Sequence, residues 1–275
     1  MPKIPDLTFH DGHSIPQFGL GVFQLDDGDT ARVVFAALNK GYRLIDTAAL
    51  YGNEVGVGDG LRQADVDRDE VFVTSKVWND MQGYDKARKS LRESLDRLKL
   101  DRLDLFLIHW PCPDQNLYVE TWKALIDAQK DGEVTSIGVS NFNPDHLERI
   151  IGETGVTPVL NQVELNPKLQ QAKVREADAA HNIVTQCWTP LGRGRSMDAP
   201  EITKIAERTG KSPAQVILRW HVELGSAVIA KTDKEDRLAE NMDIFDFELT
   251  EEDMAAIATL HTGERTGPNP AEFNG

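Results

Sequence analysis

Polar side chains that could carry out acid–base chemistry follow short apolar runs in the first half of the chain: Asp46, Tyr51, Lys76 and His109. A lysine that leaves a buried strand needs a counter-charge, because an unpaired buried ammonium is unfavourable, and Asp46 is the natural partner. A nearby cation stabilises a phenolate, so we expect Lys76 to lower the pKa of Tyr51 and make it a usable general acid. His109 could donate a hydrogen bond to a carbonyl oxygen and orient it.

Residues in the second half of the chain could bind a flat ring that carries an amide. Ser140, Asn141 and Gln162 have the donors and acceptors that a carboxamide requires, and Trp188 has a flat face for an aromatic ring. A nicotinamide combines both features. Each residue also has an ordinary structural role open to it, since Ser140 and Asn141 could cap a helix, Gln162 could be a structural amide and Trp188 could pack in a core.

These residues need secondary structure that brings them together, and the hydrophobic pattern predicts eight strands alternating with helices. The strands are predicted near Gly19–Val22, Leu44–Ile45, Val71–Ser75, Leu103–His109, Ser136–Ser140, Leu160–Glu164, Val184–Trp188 and Ala227–Ile229. The helices are predicted over Thr30–Asn39, Asp85–Leu98, Val119–Asp131, Pro144–Gly152, Gln170–His181, Ser212–Leu224 and Lys234–Met242. Further helices are predicted near Glu201–Arg208 and after Thr250, and a short hairpin turning at Asp11 and Gly12 precedes the first strand.

Strands separated by helices run parallel, and no linker rich in Pro, Gly or Ser divides the chain. We therefore expect one domain over residues 1–275, an α/β fold built as a single (β/α)8 TIM barrel with a short N-terminal β-hairpin and extra helices. The active residues of such barrels lie at the C-terminal ends of the strands, so the side chains named above would converge on one face.

A Rossmann sheet is the structural alternative, because it also alternates strands and helices. Its glycine fingerprint is missing. Gly19-Leu20-Gly21 is followed by Gln24 where a third glycine is required, and the glycines of Gly56–Gly60 lie within a helical stretch. The barrel is therefore the favoured architecture.

Composition restricts the class of partner. A formal charge of −15 and a pI near 4.9 disfavour binding to nucleic acid phosphates and anionic membranes, which leaves a small molecule as the expected ligand.

Two cysteines, Cys112 and Cys187, suggest neither a disulfide framework nor a structural metal site. The only local cue for a metal hydrolase, His10-x-x-His13, lies in the predicted hairpin, so we expect no metal. No leader or membrane span is apparent, and a cytoplasmic location is expected.

Six ordered segments carry a resemblance to a known family: GYRLIDTAALYGNE, VTSKVWND, LIHWP, SIGVSNF, NQVEL and KTDKEDRLAEN. Together they resemble the aldo-keto reductases over nearly the whole chain, and the ending GPNPAEF, WNDMQGYD and Trp188 are most similar to the bacterial 2,5-diketo-D-gluconate reductases. The resemblance implies NADPH-dependent reduction of aldehydes or ketones by a monomer. It implies a catalytic tetrad of Asp46, Tyr51, Lys76 and His109, and nicotinamide contacts from Ser140, Asn141, Gln162 and Trp188.

Cations just after the eighth strand point to a phosphate ligand in this acidic chain. Lys231, Lys234 and Arg237 cluster there, and Arg193 and Arg195 follow the seventh strand. The resemblance implies that the 2′-phosphate and the adenine of the cofactor are bound by Lys231, Thr232, Arg237, Glu240 and Asn241. Two acidic residues temper the expected preference for NADPH over NADH, namely Asp233 and Asp236.

The substrate pocket is expected to have apolar walls from Phe23, Trp78 and Trp110, although each could be ordinary packing at the rim of the barrel. The short C-terminal tail implies an open site that tolerates many carbonyl compounds. Asn166 stands where many members of the family have histidine, and we expect it to be structural.

The alternative function is a cofactor-sensing module, since barrels of this family also serve as regulatory subunits of potassium channels. The sequence does not identify the carbonyl substrate.

Overall fold

Eight parallel strands close into a barrel in the computed structural model, which describes residues 4–275. The described residues form ten strands, of which the last eight make the barrel: β1 Asp6–Thr8, β2 Ser14–Pro16, β3 Phe18–Gly21, β4 Leu44–Asp46, β5 Phe72–Val77, β6 Leu103–Ile108, β7 Val134–Ser140, β8 Leu160–Glu164, β9 Val184–Trp188 and β10 Ala227–Lys231. Strands β3 to β10 follow one another around the barrel, and β10 closes it against β3. The predicted barrel is confirmed, with all eight predicted strands in place.

Helices surround the barrel: α1 Asp27–Asn39, α2 Glu54–Gln63, α3 Tyr84–Leu98, α4 Tyr118–Lys130, α5 Pro144–Thr154, α6 Ala172–Ala180, α7 Pro200–Thr209, α8 Pro213–Glu223, α9 Glu235–Met242 and α10 Glu251–Ala258. The additional helices predicted between the seventh and eighth strands and after Thr250 are α7 and α10. Helix α8 begins at a capping serine, because Ser212 Oγ accepts a hydrogen bond from the backbone N–H of Gln215.

The glycines of α2 are explained by close helix packing. A Cβ on Gly56 would lie 2.3 Å from the backbone oxygen of Asp27 in α1, and a Cβ on Gly58 would lie 2.4 Å from that of Leu98 in α3. Helix α2 therefore fits between its two neighbours only with hydrogen at these positions. The glycine pattern serves packing within a helix, which agrees with the rejection of a phosphate-binding loop.

The predicted hairpin is formed by β1 and β2, which pair antiparallel. Phe9 and Ile15 from this hairpin pack in one buried cluster with Leu44, Leu105 and Leu160, residues of the barrel strands. Leu44 and Leu160 are the first residues of their strands, so the hairpin covers the N-terminal end of the barrel. The polar residues at the C-terminal ends of the strands lie at the opposite end of the barrel.

A buried carboxyl group on α6 joins two strands of the barrel from outside. Asp178 accepts hydrogen bonds from Asn161 Nδ2 at 3.0 Å and from Thr185 Oγ1 at 2.7 Å, and within residues 4–275 it forms no ion pair. Burial without a cation raises the pKa of Asp178 to about 7. The folded protein therefore holds a proton on this group at pH values where the unfolded chain has released it.

This raised pKa predicts a loss of stability as pH rises. Between the ordinary carboxyl pKa and about 7, the folded state binds more protons than the unfolded state, so the free energy of unfolding falls with increasing pH. Asp178→Asn removes the charge and keeps the shape. We expect the variant to be more stable than the wild type by roughly 2 kcal/mol near pH 8, with a smaller difference near pH 5. Urea unfolding of both proteins across this range measures it, and a difference independent of pH would contradict the expectation.

Candidate active site

The residues predicted to do chemistry meet at the C-terminal end of the barrel. A cleft of about 600 Å³ opens there. Three of the four expected acid–base residues and the expected ring-binding residues line it, and the fourth, Lys76, lies fully buried beneath it. The lining residues predicted from sequence are Asp46, Tyr51, His109, Ser140, Asn141, Gln162, Trp188, Phe23, Trp78 and Trp110. Four of these residues lie in strands, five follow the end of a strand by one or two residues, and Tyr51 lies in a short 3-10 turn after β4, Ala49–Tyr51.

A buried ion pair forms the floor of this group. Lys76 Nζ donates to Asp46 Oδ1 at 2.6 Å and to the backbone oxygen of Thr47 at 2.8 Å. The other carboxylate oxygen, Asp46 Oδ2, accepts from Gln162 Nε2 at 2.7 Å. Burial lowers the pKa of Lys76 and raises that of Asp46, while the attraction within the pair opposes both changes. The expected partnership of Asp46 and Lys76 is present in the structure.

Tyr51 lies over this pair, with Lys76 Nζ 5.2 Å from the centre of its ring. Burial raises the pKa of Tyr51 well above its ordinary value, and the charge of Asp46 raises it further. The expectation of a lowered pKa for Tyr51 is therefore wrong for the protein without ligand, because on balance this pKa is raised. The reason is that Asp46 lies in the same pair and offsets the lysine's field, while burial disfavours the phenolate. Tyr51 is consequently protonated at neutral pH.

His109 faces two aromatic rings at the edge of the cleft. Its ring centre is 5.0 Å from that of Trp78 and 5.8 Å from that of Tyr51, both in edge-on geometry. Burial, and then the positive charge of Lys76, lower the pKa of His109 well below its usual range. The imidazole is therefore neutral at neutral pH and carries a single N–H.

The expected ring-binding residues form one hydrogen-bonded set. Asn141 Nδ2 donates to the backbone oxygen of His109 at 3.0 Å and to Ser140 Oγ at 3.0 Å, and its Oδ1 accepts from Trp188 Nε1 at 2.9 Å. Asn141 has a φ of +62°, in the left-handed region that asparagine tolerates better than most residues. The backbone and the neighbouring side chains thus fix both the amide of Asn141 and the edge of the Trp188 indole.

Several lining residues were missed by the sequence reasoning: Gly21, Gln24, Leu50, Thr189, Pro190, Gly267, Pro268 and Phe273. The first five lie at or shortly after the end of a strand, or next to a predicted residue. Their place in the sequence could therefore have indicated that they line the cleft. The last three belong to the C-terminal tail, where no periodic pattern connects them to the barrel.

The C-terminal tail contributes residues to the wall of the cleft. Phe273 packs edge-on against Trp110 with the ring centres 4.7 Å apart, and Gly267 lies against the indole of Trp188, where a Cβ would approach to 2.6 Å. The carboxylate of Glu164 accepts from the backbone N–H groups of Thr266 at 2.6 Å and Gly267 at 3.0 Å. These contacts hold the short tail in place, and its residues form part of the cleft wall.

The cations expected to meet a phosphate have different surroundings. Lys231 and Arg193 line the cleft, and Arg237 is exposed on α9 with no ion pair among the residues that the structure describes. Arg195 instead pairs with Glu264 at 2.6 Å, so it is already engaged. Lys234, which lies between β10 and α9, is exposed as well, so three cations at the end of β10 and the start of α9 remain suited to an anionic ligand.

The other residues expected near the cofactor are Thr232, Glu240 and Asn241. Thr232 and Asn241 are buried, and Thr232 Oγ1 accepts from the backbone N–H of Lys234 at 3.1 Å. Glu240 is exposed and accepts a hydrogen bond from Ser212 Oγ at 2.8 Å. The first contact lies within the loop between β10 and α9, and the second joins the start of α8 to α9 and leaves Glu240 at the surface.

Asn166 has a structural environment. Its Oδ1 accepts from the backbone N–H groups of Lys168 at 3.1 Å and Leu169 at 3.2 Å, so it closes a turn after β8. The histidines of the hairpin lie at the other end of the barrel, where His10 Nε2 is 3.1 Å from the backbone oxygen of Pro158. Residues 4–275 contain no cluster of three or more side chains of the metal-ligating type. None of the helices in that range is long and apolar enough to span a membrane.

Comparison with known proteins shows the family of the chain. Residues 17–261 match the Aldo/keto reductase family. An aldo-keto reductase of Mycobacterium sp. (strain KMS) is 49% identical over 270 residues, and methylglyoxal reductase DkgA of Escherichia coli (strain K12) is 46% identical over 271 residues; each alignment covers 98% of both chains.

Solved structures give the same result. A mutant of Gox0644 in complex with NADPH has a TM-score of 0.94 at 50% identity, with 97% of both chains covered. A Bombyx mori aldo-keto reductase in complex with NADP has a TM-score of 0.91 at 36% identity, with 96% of this chain and 95% of the other covered. The chain therefore belongs to the aldo/keto reductase family and is an oxidoreductase.

Proposed function

We propose that the protein reduces small aldehydes and ketones to alcohols with NADPH, and that Tyr51 is the general acid. The observation that carries the proposal is the position of a protonated Tyr51 and a neutral His109 at one cleft, beside a fixed set of amide-binding groups and Trp188. A phenol and a neutral imidazole can both donate to a carbonyl oxygen, which is where negative charge develops during reduction.

The chain's own groups fit a nicotinamide. Ser140, Asn141 and Gln162 line the cleft, where the oxygen of Gln162 is available to accept a hydrogen bond from a carboxamide N–H, and Trp188 presents an aromatic face whose edge is fixed by Asn141. When bound, NADPH supplies the hydride, which is chemistry that the side chains lack. Relatives solved with NADPH or NADP support this choice of cofactor.

We assign the 2′-phosphate and adenine end of the cofactor to residues at the end of β10 and in the segment that follows it. Lys231, Thr232 and Arg237 would hold the 2′-phosphate, and Glu240 and Asn241 would lie near the adenine. Arg237 is exposed and forms no ion pair within residues 4–275, so its guanidinium can bind a phosphate through two parallel hydrogen bonds. The exposed acids Asp233 and Asp236 weaken the positive field and moderate the preference for NADPH.

The acid step depends on the buried pair beneath the tyrosine. As Tyr51 gives its proton to the carbonyl oxygen, negative charge moves onto the phenol, and the ammonium of Lys76 stabilises it. Asp46 holds that ammonium in place. His109 donates its N–H to the same oxygen and orients the carbonyl. Before the reaction, the raised pKa of Tyr51 ensures that the proton is present.

The substrate class follows from the walls of the cleft. Phe23, Trp78, Trp110 and Phe273 surround the space beside Tyr51, and the tail limits its size. Such a site suits compact carbonyl compounds, either dicarbonyls or diketo sugar acids, and the related E. coli protein is named a methylglyoxal reductase. Steady-state kinetics with methylglyoxal, 2,5-diketo-D-gluconate and aromatic aldehydes test the proposal, and absence of NADPH oxidation with every substrate would favour a cofactor-sensing role.

Tyr51→Phe removes the donated proton and keeps the ring. We expect carbonyl reduction to fall by at least about 100-fold while the dissociation constant for NADPH stays close to that of the wild type. Stopped-flow reduction and quenching of Trp fluorescence measure the two quantities. If the variant retained most of the wild-type kcat, His109 would be the next acid to test.

Lys76→Met removes the cation beneath the phenol and leaves the carboxylate of Asp46 without its partner. The phenolate loses its stabilisation, so we expect kcat to fall by about 100-fold or more and the apparent pKa of the acid to rise. The unpaired buried carboxylate should also lower the melting temperature. The double variant Lys76→Met/Asp46→Asn is the control, since it should recover stability without recovering kcat. A folded Lys76→Met variant with an unchanged pH–rate profile would reduce Lys76 to a structural partner of Asp46.

Arg237→Ala tests the assignment of the phosphate. We expect binding of NADPH to weaken by about 1.5–3 kcal/mol, the range for a hydrogen bond to a charged group, with little effect on NADH. Lys99→Ala is a matched control, because Lys99 is an exposed cation that follows α3 at the opposite end of the barrel from the cleft. Both dissociation constants are measured by Trp fluorescence, and an equal loss for the two cofactors would remove Arg237 from the phosphate site.

A further inference from the structure

A second glutamine lies directly behind Gln162 and contacts it. Gln186, in the middle of β9, is fully buried and is the register partner of Gln162 in β8. Its Oε1 accepts a hydrogen bond from Gln162 Nε2 at 2.7 Å. Gln162 lines the cleft and Gln186 does not, so any effect of Gln186 on a ligand must act through Gln162.

The two contacts of Gln162 determine which of its atoms remains available. A carboxylate accepts hydrogen bonds and cannot donate them, so the Gln162 atom 2.7 Å from Asp46 Oδ2 must be the amide nitrogen. That nitrogen has two N–H groups, one directed to Asp46 and the other to Gln186. With both donors used, the oxygen of Gln162 is the group left to interact with a ligand, and it can only accept.

We propose that Gln186 is a positioning residue, which holds the Gln162 amide between two acceptors so that Gln162 recognises an N–H donor on the cofactor. The proposal rests on the proposed function, because it takes the carboxamide of the nicotinamide as the ligand of Gln162. The carboxamide nitrogen then donates to Gln162 Oε1. A ring substituent with an oxygen but no N–H loses this contact.

The surroundings of Gln186 argue against a role in packing alone. Its own Nε2 is buried without a hydrogen-bond partner among residues 4–275, which is an unfavourable arrangement for an amide. An unbranched apolar side chain of similar length would fill the same space without an unsatisfied donor. The contact with Gln162 is the one hydrogen bond of this side chain in the described part of the chain, so the benefit of a glutamine here lies in that contact.

The test compares NADPH with its 3-acetylpyridine analogue, in which an acetyl group replaces the carboxamide and removes the N–H donor. For the wild type we expect the analogue to bind about tenfold more weakly than NADPH. In Gln186→Met, Gln162 is no longer held between two acceptors. We expect NADPH to bind about five- to tenfold more weakly and the analogue to change less than about twofold, so that the ratio of the two dissociation constants approaches one.

Two further variants control for packing and folding. Thr74→Val replaces another buried polar group in the barrel wall, one whose Oγ1 has no hydrogen-bond partner, and should leave both dissociation constants and their ratio unchanged. Gln186→Asn keeps a buried amide, but its shorter side chain no longer reaches Gln162. We expect it to weaken NADPH binding as Gln186→Met does, and it serves as the second test if Gln186→Met folds poorly. The melting temperature of Gln186→Met should stay close to that of the wild type, because the unpaired N–H of Gln186 is removed while one N–H of Gln162 loses its acceptor.

The outcomes separate this proposal from the function on which it rests. A wild-type ratio retained in both Gln186 variants would assign Gln186 to packing and overturn the proposal. A wild type that binds the two cofactors equally would show that Gln162 does not recognise the N–H, which also overturns it. A wild type that binds no NADPH and reduces no carbonyl compound would instead overturn the proposed function.

Discussion

The buried ion pair between Lys76 and Asp46 is the constraint around which the site is organised. A buried charge without a partner is strongly unfavourable, so the two groups depend on each other and on further hydrogen bonds. The backbone oxygen of Thr47 and the amide of Gln162 provide two such hydrogen bonds. As a result, the ends of β4, β5 and β8 are held at fixed separations, and Tyr51 is placed over the pair by the turn that follows β4.

The same pair explains why the acid is held in its protonated form. A lone lysine would favour the phenolate of Tyr51, but the adjacent carboxylate offsets the lysine's field, and burial disfavours any charge on the ring. The lysine becomes useful only when charge appears on the phenol as the proton leaves. His109 is kept neutral by burial and by the same lysine, so the cleft offers two neutral donors to a carbonyl oxygen.

A second buried charge secures the helix that follows the tyrosine. Glu54, the first residue of α2, accepts from Ser75 Oγ at 2.6 Å and from Arg97 Nε at 2.6 Å, which ties α2 to β5 and α3. The glycines Gly56 and Gly58 let α2 approach its neighbours closely enough for these contacts. Catalytic geometry at one end of the barrel thus depends on helix packing around it, while the hairpin covers the other end.

The sequence by itself determined the eight strands, the position of the hairpin and the residues that close each strand, because hydrophobic period and capping chemistry are local. It also paired Asp46 with Lys76, since a buried lysine has few alternatives. Only the tertiary structure decided the direction of the Tyr51 pKa shift, the contact of Gln186 with Gln162 and the place of Phe273 in the cleft wall. Each of these depends on distances between residues far apart in the chain, and a pKa depends on the sum of burial and all nearby charges, which no local pattern contains.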